Sequence, residues 1–450
     1  MGSGRIPGWV WLVLLFVHAA CFFWALQNRR WDFPDSGRYQ QAGLNIREHG
    51  QLYARIWPTE VPRGQAMQEF TIRPPGYPVV LDLLKGEQGS PWLVLLLQNA
   101  LSVLALAVVL RWWARIAKPP QRYWLGAVGL VLLFPAQLIY ANAVMSEQWL
   151  QACLLGTVWW ALIFSDTGKV RHLLGVAVAI GVALLLKPVC FPLAAVMAVA
   201  GGWLAWKRKR GVLLLVGLLP VLVAGIYMRW NEQRTGYFHF SSIAEINLLH
   251  YNAAGVVRQL DGPVTEEKWV ASVLRAANAQ PDFAGRQRLI RDRADSVIFA
   301  HPFIYARQHL LGMGTMLLDP GRFDISEFLA LKPLPGGGLL ARVRSEGWRE
   351  AVGGLPIGLL TVLGLLTLAN IGRLLLAIRG FVCLGRGPVS WRLARWLAVG
   401  VLGYLALLTG PLGAARFLVP AWPLLLGLAL MGLRGPAAES TSESAAAARA

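Results

Sequence analysis

Cysteine is scarce in this chain of 450 residues: there are four, Cys21, Cys153, Cys190 and Cys383, and none falls in a long polar segment. That excludes a disulfide-stapled fold and any cysteine-based zinc spacing. Charge is scarce too. Charged residues make up 15% of the chain and apolar residues 56%, too lopsided for an ordinary soluble domain. Acid is the scarcer sign, with 24 Asp and Glu against 43 Lys and Arg and a formal charge of +19. In a soluble protein that excess would point to nucleic acid. Here the basic residues sit in short stretches between apolar runs, the pattern that orients a membrane protein, so no nucleic-acid partner is expected. The run Gly336-Gly337-Gly338 has no Lys-Ser/Thr after it, which removes a phosphate loop. No internal repeat relates the two halves. The first apolar run is followed by Gln27-Asn28-Arg29-Arg30 instead of a small-residue cleavage site, so it reads as a retained span or an uncleaved signal anchor.

What the chain has in quantity is apolar segments near the ~20 residues a spanning helix needs, which predicts an all-α polytopic membrane protein of about ten transmembrane helices. They fall near 9–27, 91–110, 123–140, 148–165, 172–187, 190–206, 211–228, 355–372, 396–411 and 417–433. Arg111 to Arg122, Lys169 with Arg171, Lys207 to Arg210, and Arg373 to Arg395 form basic loops almost free of acid. By the positive-inside rule these are cytoplasmic, so both termini are inside a bacterial cytoplasmic membrane and the long loops 28–90 and 229–354 face outward. The expected organisation is a transmembrane module at 1–228 that includes the outer loop 28–90, with short helices lying on the membrane surface. An outer helical cap at 229–354 follows, then the C-terminal spans at 355–436 and a disordered cytoplasmic tail at 437–450. The segment 301–318 is short and carries Arg307 and His309. As a true span it would break the charge pattern, so an interfacial or re-entrant helix is expected.

The residues able to carry chemistry gather at the outward ends of spans. Asp35 follows Pro34 in the first outer loop; its carboxylate reads either as a general base or as the N-cap of the next helix. Asp32 has the same double reading, with an ion pair to Arg29 or Arg30 as its expected use. Arg73 opens the rigid turn Arg73-Pro74-Pro75-Gly76-Tyr77-Pro78. Its forked guanidinium suits a phosphate, or it snorkels to the membrane surface. Glu147 stands in a short outward turn, Lys187-Pro188 at the end of a span and Arg416 at the start of the last. Singly, each cation is explained by snorkelling; together they suggest one site.

In this order the motifs resemble the type C, membrane-embedded glycosyltransferases, the family of the protein mannosyltransferases and the lipid A aminoarabinose transferase. The resemblance is carried by Asp35-Ser36-x-Arg38-Tyr39 with Ala42 and Gly50, Arg73-Pro-Pro-Gly-Tyr77-Pro, Ser146-Glu147 and Lys187-Pro188. It continues through Ser241-Ser242 with Glu245, Asn247 and Asn252, His301-Pro302 with Tyr305, and Ala415-Arg416-Phe417 with Pro420 and Pro423. The chain departs from the family in having Ser36 where relatives often have Glu. The resemblance implies a donor sugar on a polyprenyl phosphate and an acceptor, lipid, glycan or protein, at the outer face. It implies Asp35 as catalytic base, with Glu147 as a second carboxylate. Arg73, Lys187 and Arg416 would hold the donor phosphate, and Arg38, Tyr39, Tyr77, Glu245 and Asn247 the substrate. A divalent cation is compatible and not required; no metal ligands are expected. The alternative is a lipid-linked sugar flippase or transporter, whose charges would lie mid-span instead of at span ends.

Overall fold

The structure is a computed structural model that describes residues 5–60, 62–331, 338–353 and 355–436. The expected tail at 437–450 and Gly336-Gly337 lie outside the described residues. Those residues form helices and no strands. The N-terminal part comprises α1 (Gly8–Asn28), α2 (Ser36–His49), α3 (Gly76–Leu83), α4 (Trp92–Ala117), α5 (Gln121–Leu132), α6 (Pro135–Ala141), α7 (Glu147–Thr167), α8 (Val170–Leu186), α9 (Phe191–Arg208) and α10 (Val212–Thr235). The cap follows with α11 (Ile243–Asn247), α12 (Ala254–Asp261), α13 (Pro263–Asn278), α14 (Phe283–Ala300), α15 (Pro302–Leu318), α16 (Arg322–Phe328), α17 (Leu339–Glu346) and α18 (Trp348–Val352). The chain closes with α19 (Ile357–Gly385), α20 (Val389–Thr409) and α21 (Trp422–Leu433).

All ten expected spans are helical, and seven helices among the described residues are long and apolar enough to cross a membrane. The bent pair α5–α6 makes an eighth. The other two fall short for physical reasons: α8 has 17 residues, and α7 buries Glu147, Gln148 and Gln151 in its first turns. Two expected boundaries move. Helix α10 runs through residue 228 to Thr235. Helix α19 continues to Gly385 with Arg373 buried inside it, so Arg373 belongs to no cytoplasmic loop.

Arg373 has a reason to be inside. Helices α5 and α6 meet at a 58° bend, and Pro135 at the start of α6 leaves carbonyls there without helical partners. Arg373 donates to the Leu133 carbonyl at 2.9 Å and to the Asn370 side chain. Its guanidinium lies 5.3 Å from the Phe134 ring and 5.0 Å from that of Trp422. A broken helix at membrane depth is tolerated when a neighbour re-satisfies its backbone in this way. A second buried polar set ties α1, α4, α6 and α7 together. His18 meets Ser102 at 2.9 Å, Gln137 donates to Ser102 at 2.7 Å, and Gln137 and Gln151 exchange bonds of 2.9 and 2.8 Å.

The cap is fastened to the first loop. The hydroxyls of Ser241 and Ser242 donate to the carbonyls of Thr71 and Gln68 at 2.7 and 2.9 Å. Helix α15 begins against the cap, where Gln308 donates to Tyr251 O and Asn252 O at 2.9 and 3.1 Å. It ends midway along α19, where Asn370 donates to the carbonyls of Leu318 and Asp319 at 3.0 and 3.2 Å. The chain then turns at Gly321, φ 79°, and α16 leads back to the Phe328 carbonyl, which accepts from Trp24 Nε1 at 2.9 Å near the end of α1. The segment thus turns back on itself toward the end of α1.

Candidate active site

Asp35 stands at the N-cap position of α2, yet its side chain makes no cap hydrogen bond. Ser36 Oγ accepts from the Phe33 amide at 2.9 Å and holds the turn without it. The freed carboxylate points to two cations: Oδ1 lies 2.6 Å from Arg73 Nη2, and Oδ2 lies 3.3 Å from Arg416 Nη1. Burial pushes the Asp35 carboxyl up, but Arg73, Arg416 and Lys187 outweigh it and hold the group below the usual carboxylate range. Arg73 is buried, so it is not a snorkelling side chain.

The Pro-Pro-Gly-Tyr-Pro turn brings Arg73 there by close approach. A methyl group on Gly76 would lie 2.6 Å from the Leu185 carbonyl oxygen, so only glycine lets the turn seat on the end of α8, two residues before Lys187. Tyr77 is fully buried, and its hydroxyl donates to Gln98 Oε1 at 2.8 Å. Gln98 donates in turn to Ala143 O at 2.7 Å, and the neighbouring Asn99 to Asn142 Oδ1 at 2.8 Å. Helix α4 thereby braces the turn that carries Arg73 and the turn that leads into Glu147.

From Asp35 the contacts close into a ring. The Arg73 guanidinium lies over the Tyr39 ring at 4.9 Å, and Tyr39 Oη is 3.4 Å from Ser146 Oγ. The next residue, Glu147, is fully buried and pairs with Lys187 Nζ at 2.5 Å. Lys187 Nζ and the Arg416 guanidinium both lie against the Phe417 ring, at 6.0 and 4.7 Å, and Arg416 returns to Asp35. The Asp35 side chain is 25% exposed and that of Glu147 not at all, which decides which of the two acids a ligand can reach.

The other expected site residues have partners elsewhere. Arg38 pairs with Glu69 at 3.5 Å. Glu245 is buried and pairs with Arg291 of α14; burial pushes its carboxyl up, against the Arg291 bond. The Asn247 carbonyl accepts from the Asn252 side chain at 3.0 Å. Asp32 makes no ion pair among the described residues, neither with Arg29 nor with Arg30. Burial pushes its carboxyl up, against a hydrogen bond from Gln40. Two residues beside the ring escaped the sequence reading. Tyr140, whose ring packs on Phe33 at 5.5 Å, donates to Asp324 Oδ1 at 2.8 Å. Nothing in the apolar stretch around Tyr140 or the short polar turn around Asp324 marks either as a site residue. Among the described residues no group of three His, Cys, Asp or Glu could hold a metal ion.

No protein-family model and no curated protein matches the chain. Among solved structures it is similar to ArnT from Cupriavidus metallidurans in the apo state, with 14% identity and a TM-score of 0.36 over 95% of this chain and 78% of that one. The structure of ArnT from the same organism bound to undecaprenyl phosphate gives 17% identity and a TM-score of 0.39 at the same coverage.

Proposed function

We propose that this protein is a glycosyltransferase that moves a sugar from a polyprenyl-phosphate donor to an acceptor at the outer face of the bacterial cytoplasmic membrane. The observation that carries this reading is the partly exposed Asp35 carboxylate bonded to Arg73 and Arg416, with Lys187 beside them. One reachable acid among three cations is what attack on a sugar phosphodiester requires. The acceptor O–H or N–H attacks the anomeric carbon and gives its proton to Asp35. The bond from that carbon to the phosphate oxygen breaks, and the polyprenyl phosphate leaves with an added negative charge that Arg73, Arg416 and Lys187 meet.

The same geometry gives the base a condition. In the free protein Asp35 is held by the cations the phosphate needs, which makes it a weak base. A bound phosphodiester takes a share of Arg73 and Arg416, and the carboxylate then becomes more basic beside the acceptor. Glu147, buried against Lys187, acts in this scheme by fixing Lys187 and does not touch the acceptor. Tyr39 positions Arg73 through its ring, and Tyr77 holds the turn through Gln98. Arg38, Glu245 and Asn247, partnered elsewhere, are given no part in this scheme.

The decisive experiment is sugar transfer from a polyprenyl-phosphate sugar by purified protein in nanodiscs. Asp35→Asn keeps the side chain's size and removes the basic site. It is expected to insert and fold normally and to lose roughly 10²–10⁴ in rate, the usual worth of a general base, while Asp32→Asn keeps most activity. Substantial turnover by Asp35→Asn overturns the assignment.

A further inference from the structure

Behind the ring of Asp35, Arg73, Glu147, Lys187 and Arg416 stands a third carboxyl group that the scheme above does not use. Helix α16, Arg322–Phe328, turns its Asp324 inward, where Oδ1 accepts from the Tyr140 hydroxyl at 2.8 Å, both residues being buried. A methyl group on Gly321 would lie 3.6 Å from Asp324 Oδ2 and 3.8 Å from Ala415 Cβ. The carboxyl and Ala415, the residue that precedes Arg416, therefore flank the same glycine. Tyr140 in turn packs on Phe33, two residues before Asp35. Asp324 is thus linked to the cluster through Tyr140 and Phe33, and it feels the charge of Arg416 without an ion pair to it among the described residues.

We propose that Asp324 is a positioning residue whose charge, acting beside Tyr140 and Arg416, sets how tightly the cation cluster holds an anionic phosphodiester. The inference rests on the reading that Arg73, Lys187 and Arg416 bind the donor phosphate. The charged and titratable groups around Asp324 are Tyr140 on α6, Glu147 on α7, Arg416 ahead of α21, Asp319 on the turn before it, and Arg322 on its own helix. Burial pushes the Asp324 carboxyl up to about 7; the Tyr140 bond opposes this, Asp319 adds to it, Arg416 opposes it and Glu147 adds to it. Asp319, also buried, is pushed up to about 6.

The sign follows. Between pH 6 and 7 Asp324 is neutral, the Asp319 carboxylate is offset by Arg322, and three cations face the carboxylates of Asp35 and Glu147, leaving one net positive charge for the phosphate. Above pH 7 the third carboxylate cancels it. A phosphodiester carries one negative charge throughout this range, so its binding weakens as pH rises. The expected loss is about tenfold, the scale of one unit charge acting across a partly buried site.

The test is isothermal titration of farnesyl methyl phosphate, a diester that does not titrate here, into the full-length protein in nanodiscs between pH 6 and 8.5. Wild-type Kd is expected to rise toward about tenfold across this range, the rise starting near pH 7 and centred above it, because the bound phosphate itself favours the neutral acid. Asp324→Asn should hold the low-pH Kd at every pH. Tyr140→Phe removes a bond that favours the ionised acid, so it should move the midpoint upward, a change that a purely structural role for the pair would not produce. Wild-type binding that is flat with pH, or an Asp324→Asn profile that follows wild type, overturns the proposal and leaves the donor-site reading standing. No binding at either pH overturns both. If Asp324→Asn fails to fold, the wild-type and Tyr140→Phe profiles decide the matter alone.

Discussion

At the scale of single residues, Asp35 ties the chemistry to a measurable pH dependence. Its carboxyl lies below the usual range because Arg73, Arg416 and Lys187 outweigh its burial. The acid limb of kcat/KM, which reports the free enzyme, should therefore lie below the ordinary carboxylate range. The limb of kcat, which reports the bound complex, should lie higher, because the donor phosphate takes part of Arg73 and Arg416. Coincident limbs would show that the phosphate does not compete with Asp35 for its cations. The cations themselves are open to substitution. A charge-assisted hydrogen bond is worth about 1.5–3 kcal/mol, so Arg73→Ala and Arg416→Ala should each lose roughly tenfold to a hundredfold in kcat/KM. Lys187→Ala should also lower the melting temperature, because it leaves Glu147 buried without a counter-charge, a change that costs about 3–5 kcal/mol. Adding Glu147→Gln should recover stability and not activity. Equal melting temperatures for the single and double variants would argue against the pairing. Asp35, Arg73 and Glu147 were legible in the sequence because acid and guanidinium are costly at a membrane face and stand out against apolar runs. Tyr140 and Asp324 were not. They meet across 184 positions, and a tyrosine in an apolar stretch gives no sign of the partner its hydroxyl will find.

Elements were legible where apolarity alone decides them. The spans at 9–27, 91–110 and 211–228 were foreseen because each is a plain apolar run, whereas the end of α19 was misread because a charge usually stops a span. The sequence could not reveal that Arg373 meets the carbonyl of Leu133 and the rings of Phe134 and Trp422. The Pro-Pro-Gly-Tyr-Pro turn is the converse case: its rigidity was readable, its seat on α8 was not. That seat makes a prediction. Gly76→Ala drives a methyl group toward the backbone at Leu185, and backbone cannot rotate away as a side chain can. Overpacking of this kind costs about 1–3 kcal/mol. The turn must lift from α8, carrying Arg73 away from Lys187 and Asp35. Donor binding by Gly76→Ala should therefore fall at temperatures well below its melting transition, whereas Gly129→Ala, where no atom lies within 4 Å, should leave both unchanged. Normal donor binding by Gly76→Ala would mean that the turn tolerates the methyl and that its glycine does not set the Arg73 position.

At the scale of the whole molecule, the proposal requires the Asp35 cluster to face outward, and the charge pattern supplies the direction. Exposed basic residues end α9 at Lys207 and Arg208 and fill the α19–α20 connection at Arg386. The first loop and the cap mix Arg with Asp and Glu. With Cys21, Cys153, Cys190 and Cys383 replaced, single cysteines at Gln65, Arg288 and Arg386 report the two sides, each position being exposed. An impermeant maleimide should label Gln65→Cys and Arg288→Cys in intact cells, and Arg386→Cys only after permeabilisation. Labelling of Arg386→Cys in intact cells would require one more crossing between the cap and α19, for which 302–318 is the candidate among the described residues. That would contradict the return of α16 toward Trp24. The same experiment bears on the transporter reading, for which a mid-span charge such as Arg373 would be the natural support. Arg373 is instead committed to the α5–α6 bend. Alternating access would expose the cluster to opposite sides in turn, so donor lipid should change the side from which a cysteine near the cluster is labelled, while Gln65→Cys stays outward. A transferase keeps the cysteine near the cluster labelled from the outer side with and without donor, and that constancy is the outcome expected.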